Sequence, residues 1–379
     1  MSVVSNITAA LGLGKKKVRY AIVGLGDISQ ASMMPGVAHT GNSEITALVT
    51  DDPVKARELG KAYGVEATYR YDQFDELLAS GLIDAVYLGT PNWRHAEFAI
   101  PALKAGIHVL SEKPLEISVE KAEAIRDAER ASSAKLMTAY RLHFEPSTLD
   151  AIRRIRAGEL GDLVAFTSCF MQKLDPANHR AKNGVVGGPL FDMAPYPINA
   201  TRYLFGAEPI EVVAAAASRH ADSGFPDLDD TYAVTLRFPG DRLAQFTVSY
   251  YANNVDSLTI SGTKGSIHMD PAYGFGDAME QRVTIGEKKS HESFKPTDQF
   301  GGEMRYFSDC ILEDRDPEPD AEEGLADLRV IEGVLEALET RGPVTLPPFV
   351  RSRRISAEQE QTLSPIKEPK LVHAASPTG

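Results

Sequence analysis

Lys113 follows the apolar run Gly106-Ile-His-Val-Leu110 and stands between Glu112 and Pro114. A lysine at the carboxyl end of a buried strand puts a cation where a parallel sheet opens toward a ligand. Beside a carbinol oxygen, that cation stabilises the alkoxide that develops in hydride transfer. Pro114 fixes the backbone and stops ladder or helix formation at this point. The plainer alternative is a surface lysine after a strand. Glu112 either orients Lys113 or binds a ribose. Tyr196 is the second chemical candidate, within Gly187-Gly-Pro189-Leu-Phe-Asp192-Met-Ala-Pro195-Tyr-Pro197. Pro195 is expected to push Ala194 out of the helical region, and Pro197 suits a first helical turn. The helix should therefore break near Tyr196 and leave its hydroxyl free to act as acid or base. The alternative is a tyrosine that only packs a kink. Asp192 either binds a substrate hydroxyl or caps the break.

A ligand for this chemistry is suggested upstream. Gly24-Leu25-Gly26-Asp27-Ile28-Ser29 follows an apolar strand and opens a helix. The first glycine permits the tight turn and the second allows close approach of a pyrophosphate. Ser29 stands where the fingerprint has a third glycine, and a lone fingerprint also fits an ordinary turn between strand and helix. An acidic residue at the end of the second strand would hold the ribose hydroxyls of NAD. Thr50 occupies that place, with Lys55 a helix turn on, which suits a 2′-phosphate. Asp51 and Asp52 oppose it by repulsion. The charge argument favours NADP, with NAD as the alternative cofactor.

Thr90-Pro91-Asn92-Trp93-Arg94-His95 ends another strand on the same side, so Thr90, Pro91, Asn92 and His95 are cofactor candidates. Asn92 also suits a helix cap. Trp93 either stacks on nicotinamide or plugs a domain interface. In Tyr140-Arg141-Leu-His143, Arg141 and His143 alternate on one face of an expected extended segment, toward cleft or solvent. Arg141 is a cofactor candidate and His143 an outside candidate for proton transfer. Arg180 and Lys182, in a polar loop, are placed to reach a polyol.

The elements that must position these residues alternate strand and helix from Val18 to Tyr140, which implies an α/β doubly wound parallel sheet. After Arg141 the strands lengthen and are joined by turns such as Phe238-Pro-Gly-Asp241 and Gly262-Thr-Lys-Gly265. They imply an α+β domain with a large, mostly antiparallel open sheet. The expected division is a flexible arm over 1–17, a dinucleotide-binding domain over 18–140, a substrate-binding and oligomerisation domain over 141–351, and a poorly ordered tail over 352–379. The open sheet face suggests a homodimer or homotetramer.

The chain has 379 residues, 43% hydrophobic and 25% charged, with a net charge of −13. That acidity argues against nucleic acid or an anionic membrane as partner. No apolar run reaches membrane-spanning length. Cys169 and Cys310 show no metal-ligand spacing, so no metal is expected, and they suit a reducing compartment. Lys15-Lys-Lys17 follows the weak apolar segment Ile7–Leu13, the reverse of a secretory signal. A cytoplasmic location is expected, or a periplasmic one if an export signal is missing.

Together these residues resemble the glucose–fructose oxidoreductase, inositol dehydrogenase and rhizopine-catabolism (Gfo/Idh/MocA) family. The likeness is carried by Ala21-Ile-Val-Gly-Leu-Gly26, Thr90–His95, Glu112-Lys-Pro114, Gly187–Asp192 with Tyr196, and Gly262–Gly265. Within the family the chain is most similar to the glucose–fructose oxidoreductase branch, through Tyr140–His143 with Pro146 and through the stretch 199–212. It departs at Pro189 and Ala194, where glycines are usual, and at Asp51. The resemblance implies a Rossmann-type domain followed by the open-sheet domain. It also implies hydride transfer at a sugar carbon, with Lys113 and Tyr196 flanking the reacting oxygen, and a tightly held NADP near Thr50 and Lys55. That cofactor would shuttle between two sugars or, as in an ordinary aldose or polyol dehydrogenase, exchange each turnover. A non-catalytic sugar or nucleotide sensor is the alternative class. Retention of both Lys113 and Tyr196 speaks against it.

Overall fold

Apolar runs covered on both faces give the first sheet. The computed structural model describes residues 16–225, 227–351 and 353–378, so residues 1–15 of the expected arm lie outside the described residues. Strands β1 (Val18–Val23), β2 (Ser43–Val49), β3 (Ala67–Tyr69), β4 (Ala85–Leu88), β5 (His108–Glu112) and β6 (Leu136–Ala139) pair in parallel in the order β3-β2-β1-β4-β5-β6. Every residue of β4 and β6 is buried, as expected where helices cover both sides. The strand order reverses between β1 and β4, and a crevice opens at such a point.

The helix after the glycine loop runs further than the sequence suggests. A wide π turn, Ser29–Met33, passes directly into the α-helix Met34–Thr40. Met34-Pro-Gly36 reads as a stop. Pro35, however, falls in the first turn of the second segment, where its missing N–H does little harm.

The second sheet has nine strands. They are β7 (Leu163–Met171), β8 (Glu211–Ser218), β9 (Thr231–Phe238), β10 (Arg242–Ser249), β11 (Val255–Gly262), β12 (Gly265–Met269), β13 (Met279–Ile285), β14 (Lys288–Phe294) and β15 (Val344–Thr345). Their order is β14-β13-β12-β11-β7-β10-β9-β8-β15, antiparallel throughout except for β7 beside β10. Sequence patterning overlooks β14 because Lys288-Lys-Ser-His-Glu-Ser-Phe294 has no apolar alternation. It is an exposed edge strand, and charge there discourages pairing with other chains.

Two long-range features alter the expected division. The helix Gln299–Leu312 falls in the second domain by position, yet its Phe300, Met304, Phe307 and Cys310 pack with Tyr20, Ile22 and Tyr87 of the first sheet. Residues 352–379, expected to be poorly ordered, follow a defined course over their described part. Gln359 is buried and donates to the Glu318 carbonyl at 2.8 Å, and the Leu363 carbonyl accepts from Asp298 N at 3.0 Å. Such a segment needs no apolar periodicity, because its order comes from bonds to the body of the protein.

Arg202, on the helix Pro195–Phe205, joins the two halves from a fully buried position. Its guanidinium reaches Glu208 at 2.5 Å and both Glu323 and Asp327 at 2.6 Å. Asp327 also accepts from the Tyr140 hydroxyl at 2.6 Å, at the end of the first sheet. Arg202→Met strips the buried Asp327 of its cation, while Glu208 keeps Arg354 and Glu323 keeps Arg351. The expected loss is about 3–5 kcal/mol, read as a lower denaturant midpoint at unchanged slope.

Candidate active site

A cavity of about 1090 Å³ opens at the carboxyl ends of β1, β2, β4 and β5 and runs beneath the second sheet. Its floor begins at the Gly24 turn. Gly24 has φ +87°, and a Cβ there would lie 2.8 Å from the Gly89 and Thr90 backbone, so only glycine fits. A Cβ on Gly26 would meet no protein atom within 4 Å, which leaves its backbone open to a ligand. Ser29, at the third fingerprint position, donates its hydroxyl to the Gly24 carbonyl at 2.6 Å and ties the turn shut from within. Leu25, Asp27 and Ile28 also line the cavity. Asp27's carboxyl is pushed up by burial, pulled down by Arg180 and pushed up again by Glu368.

Thr50 and Lys55 line the same cavity beyond β2. The two acids feared there are engaged elsewhere. Asp52 Oδ1 caps the helix Pro53–Tyr63 by accepting from Val54 N at 2.8 Å and Lys55 N at 3.1 Å, while Oδ2 pairs with His373 at 2.9 Å. Asp51 accepts from Tyr71 N at 3.1 Å. Burial lowers the Lys55 pKa against the pull of Asp52, which suits an amine awaiting an anion. Thr90 Oγ1 and Asn92 Oδ1 are buried without a partner among the described residues. Open space at Gly26, an amine at Lys55 and unpartnered polar atoms beyond β4 together fit a dinucleotide.

Asn92 does not cap the following helix. Its Nδ2 donates across the cleft to the Val186 carbonyl at 2.9 Å. His95 sits buried beside the cavity wall, its ring nitrogens 3.0–3.2 Å from the carbonyls of Thr90, Pro114 and Leu115. Burial lowers its pKa against the pull of the surrounding carbonyls, and the Lys113 charge lowers it further. Pro91 and Trp93 line the cavity mouth.

Charged and phenolic groups meet where β5 ends. Lys113 Nζ donates to the Asp192 carbonyl at 2.6 Å and to Asp192 Oδ1 at 3.2 Å, and lies 4.7 Å from the centre of the Tyr196 ring. Burial disfavours the Lys113 charge, but Tyr196, Asp192 and Glu112 outweigh it and raise its pKa. It is a cation at working pH. Burial opposes the Asp192 charge too, but Arg180, Lys113 and the Tyr250 hydroxyl hold its carboxyl well below the usual range. Arg180 Nε lies 3.3 Å from Asp192 Oδ2, and Tyr250 donates to the same oxygen at 2.7 Å. Glu112 accepts from Tyr87 at 2.8 Å; burial pushes its carboxyl up. Lys182 is not among the cavity-lining residues.

The local reading of Tyr196 needs correction. Ala194 is helical, with φ −62° and ψ −26°, and Pro195 opens the helix Pro195–Phe205. The break falls earlier, after the short helix Pro189–Asp192. Pro195 sits at a first turn, where the missing N–H is harmless and where the steric bias on the preceding residue is overcome by packing. Tyr196 therefore projects from the first turn of a helix, not from a kink. Its ring packs on Phe170 and Tyr273 at 5.2 and 5.8 Å. Arg141 Nη2 donates to its hydroxyl at 3.3 Å.

The segment expected to be extended at 141–143 is a 3₁₀ turn, Arg141–Phe144. The turn sends its two basic side chains apart. Arg141 enters the cavity wall, also donating to Gln299 and the Tyr273 carbonyl. His143 is buried between Glu318 at 3.0 Å and Asn199 at 2.7 Å, behind the cavity wall that Asn199 lines. Sequence reasoning missed Tyr250, Gln30 and the tail. Tyr250 follows a strand as one aromatic among many. Gln30 donates to the Leu25 carbonyl at 2.9 Å, one turn into the helix after the loop. Among the described residues no cluster of acids, histidines or cysteines is placed to hold a metal, and no helix is long and apolar enough to cross a membrane.

Comparison with known proteins agrees with this geometry. Residues 18–140 match the oxidoreductase family with an NAD-binding Rossmann fold, and residues 148–268 match the GFO/IDH/MocA C-terminal domain. A D-xylose 1-dehydrogenase [NADP(+)] of Haloarcula marismortui is 32% identical over 337 residues, 87% of this chain and 93% of that protein. The crystal structure of an aldose–aldose oxidoreductase from Caulobacter crescentus, complexed with glycerol, superimposes with a TM-score of 0.83 at 33% identity, covering 87% of this chain and 100% of that one. A 3-ketoreductase from Actinomadura kijaniata, solved with NADP and TDP-benzene, shares the fold at a TM-score of 0.77 and 24% identity, over 86% and 98% of the two chains. The chain belongs to the GFO/IDH/MocA family of oxidoreductases, built on an NAD-binding Rossmann domain and an open-sheet C-terminal domain.

Proposed function

We propose that this oxidoreductase interconverts a hydroxyl and a carbonyl on an aldose, ketose or polyol, using NADP in preference to NAD. The observation that carries the reading is the Lys113–Asp192–Arg180–Tyr196 cluster, in one cavity with the Gly24 loop. Names of similar proteins support the substrate class: a D-xylose dehydrogenase and an aldose–aldose oxidoreductase.

When bound, the nicotinamide ring supplies or accepts the hydride. The remaining work falls to the protein. In the reducing direction Lys113 faces the carbonyl oxygen and stabilises the charge that grows on it. Tyr196 gives that oxygen its proton, and Arg141 stands beside the phenolic oxygen left behind. In the oxidising direction Tyr196 takes the proton from the hydroxyl. Asp192, kept ionised, accepts a neighbouring sugar hydroxyl, and Arg180 donates to another. Lys113 and Tyr250 already bond Asp192, so its carboxylate presents a fixed geometry to substrate.

Thr50 and Lys55 support NADP, because the two acids beside them are turned to backbone amides and His373. Thr50→Asp is expected to shift the ratio of dissociation constants toward NAD, since a carboxylate repels the 2′-phosphate and accepts from the ribose hydroxyls. A wild-type protein that already prefers NAD strongly would refute the assignment of Thr50 and Lys55.

The aldose–aldose relative favours a cofactor that stays bound while two sugars react in turn; the xylose dehydrogenase favours one that exchanges each turnover. Mass spectrometry of the purified protein, followed by deuterium transfer from one sugar to another without added nucleotide, separates them. Pairing of chains through the exposed face of the nine-stranded sheet belongs to the same proposal, and light scattering tests it.

A further inference from the structure

The tail lies across the nucleotide end of the cavity. Beyond Leu363, which is held by Asp298, the chain turns back to the first domain. Val372 pairs twice with Gln30: its N–H donates to Oε1 at 2.7 Å, and its carbonyl accepts from Nε2 at 3.0 Å. The same Gln30 amide holds the Leu25 carbonyl in the glycine loop. His373 then pairs with Asp52, the cap of the helix that carries Lys55. Finally Asp175 N, in the second domain, donates to the Pro377 carbonyl at 3.0 Å. The chain thus bridges both domains, with His373 bent at φ +46° between its anchors. Between these anchors Ala374, Ala375 and Ser376 line the cavity that Thr50, Lys55 and the glycine loop line from the other side.

From this arrangement we infer that residues 369–378 form an outer wall of the dinucleotide site and hold the adenosine end of the cofactor in place. The inference rests on the nucleotide reading above and adds a segment to it. Three hydrogen bonds tie the strap to Gln30, which holds the glycine loop, and to Asp52, which caps the Lys55 helix, so release of nucleotide requires the strap to open. His373 also occupies Asp52 Oδ2, so that oxygen is turned to the strap. Glu368 adds negative charge near Asp27, so retention comes from coverage and hydrogen bonding rather than from charge attraction.

The test is the release rate of NADPH, followed by its fluorescence during displacement with excess NADP. Three proteins are compared: the full chain, a chain ending at Glu368, and His373→Ala. The shortened chain keeps the Gln359 and Leu363 anchors, and its melting curve checks that it folds. Release is expected to be roughly tenfold faster or more from the shortened chain, and intermediate from His373→Ala. Equal release from all three overturns the wall. Tighter binding by the shortened chain also overturns it, since the tail would then compete with the cofactor. If the full chain prefers NADH, the NADP reading fails, and the same release measurement with NADH decides the strap alone. A folded full chain that binds neither nucleotide overturns both.

Discussion

Lys113→Met is expected to lower kcat roughly 100- to 1000-fold, the usual effect of deleting one donor to a developing oxyanion. Nucleotide affinity should stay near wild type. The ammonium reaches Asp192 and the Tyr196 ring at the reacting end of the cavity, whereas Thr50, Lys55 and the glycine loop lie at the other. Methionine keeps most of the side chain's volume. Asp192 keeps Arg180 and Tyr250, so the buried carboxylate is not stranded. kcat and kcat/KM should fall together, because the lost interaction is strongest in the transition state. Steady-state kinetics and nucleotide titration on the same sample check this. Near-native turnover would refute the role of Lys113.

Tyr196→Phe is expected to lower turnover roughly 100- to 10,000-fold, the range for loss of a positioned proton donor. It should also abolish the rise of the oxidative rate with pH. The ring is retained, so its contacts with Phe170 and Tyr273 survive and folding should be little changed. His143 is the rival proton carrier. It is buried in hydrogen bonds to Glu318 and Asn199, so His143→Asn should lower stability and leave the pH limb in place. An unchanged limb in Tyr196→Phe, with its loss in His143→Asn, would reverse the assignment.

Much of the first domain is legible along the chain because its signals are local. An unbroken apolar run marks β4, since a sheet covered on both faces needs no alternation. Gly24 is read correctly because a tight turn with positive φ admits little else. The proline argument at Tyr196 goes astray because it weighs one steric preference against no tertiary information. Packing holds Ala194 helical and moves the break to Met193. His143 and Arg141 illustrate the same limit. Two residues assumed to share one face of an extended segment are sent apart by one turn of 3₁₀ helix.

By itself the sequence determined the element types of the nucleotide domain and the tight turn at Gly24, and it singled out Lys113 and Tyr196 as candidates for hydride-transfer chemistry. Those follow from backbone sterics and hydrophobic periodicity, which act over a few residues. Only the tertiary structure decided the charge states and partners. Asp192 is ionised because Arg180, Lys113 and Tyr250 converge on it from separate elements. Asp51 and Asp52 are engaged by Tyr71 N and by His373, the latter 321 positions from Asp52. The tail has no periodic apolar face to announce its order, and its place over the cavity depends on hydrogen bonds that exist only once both domains have folded.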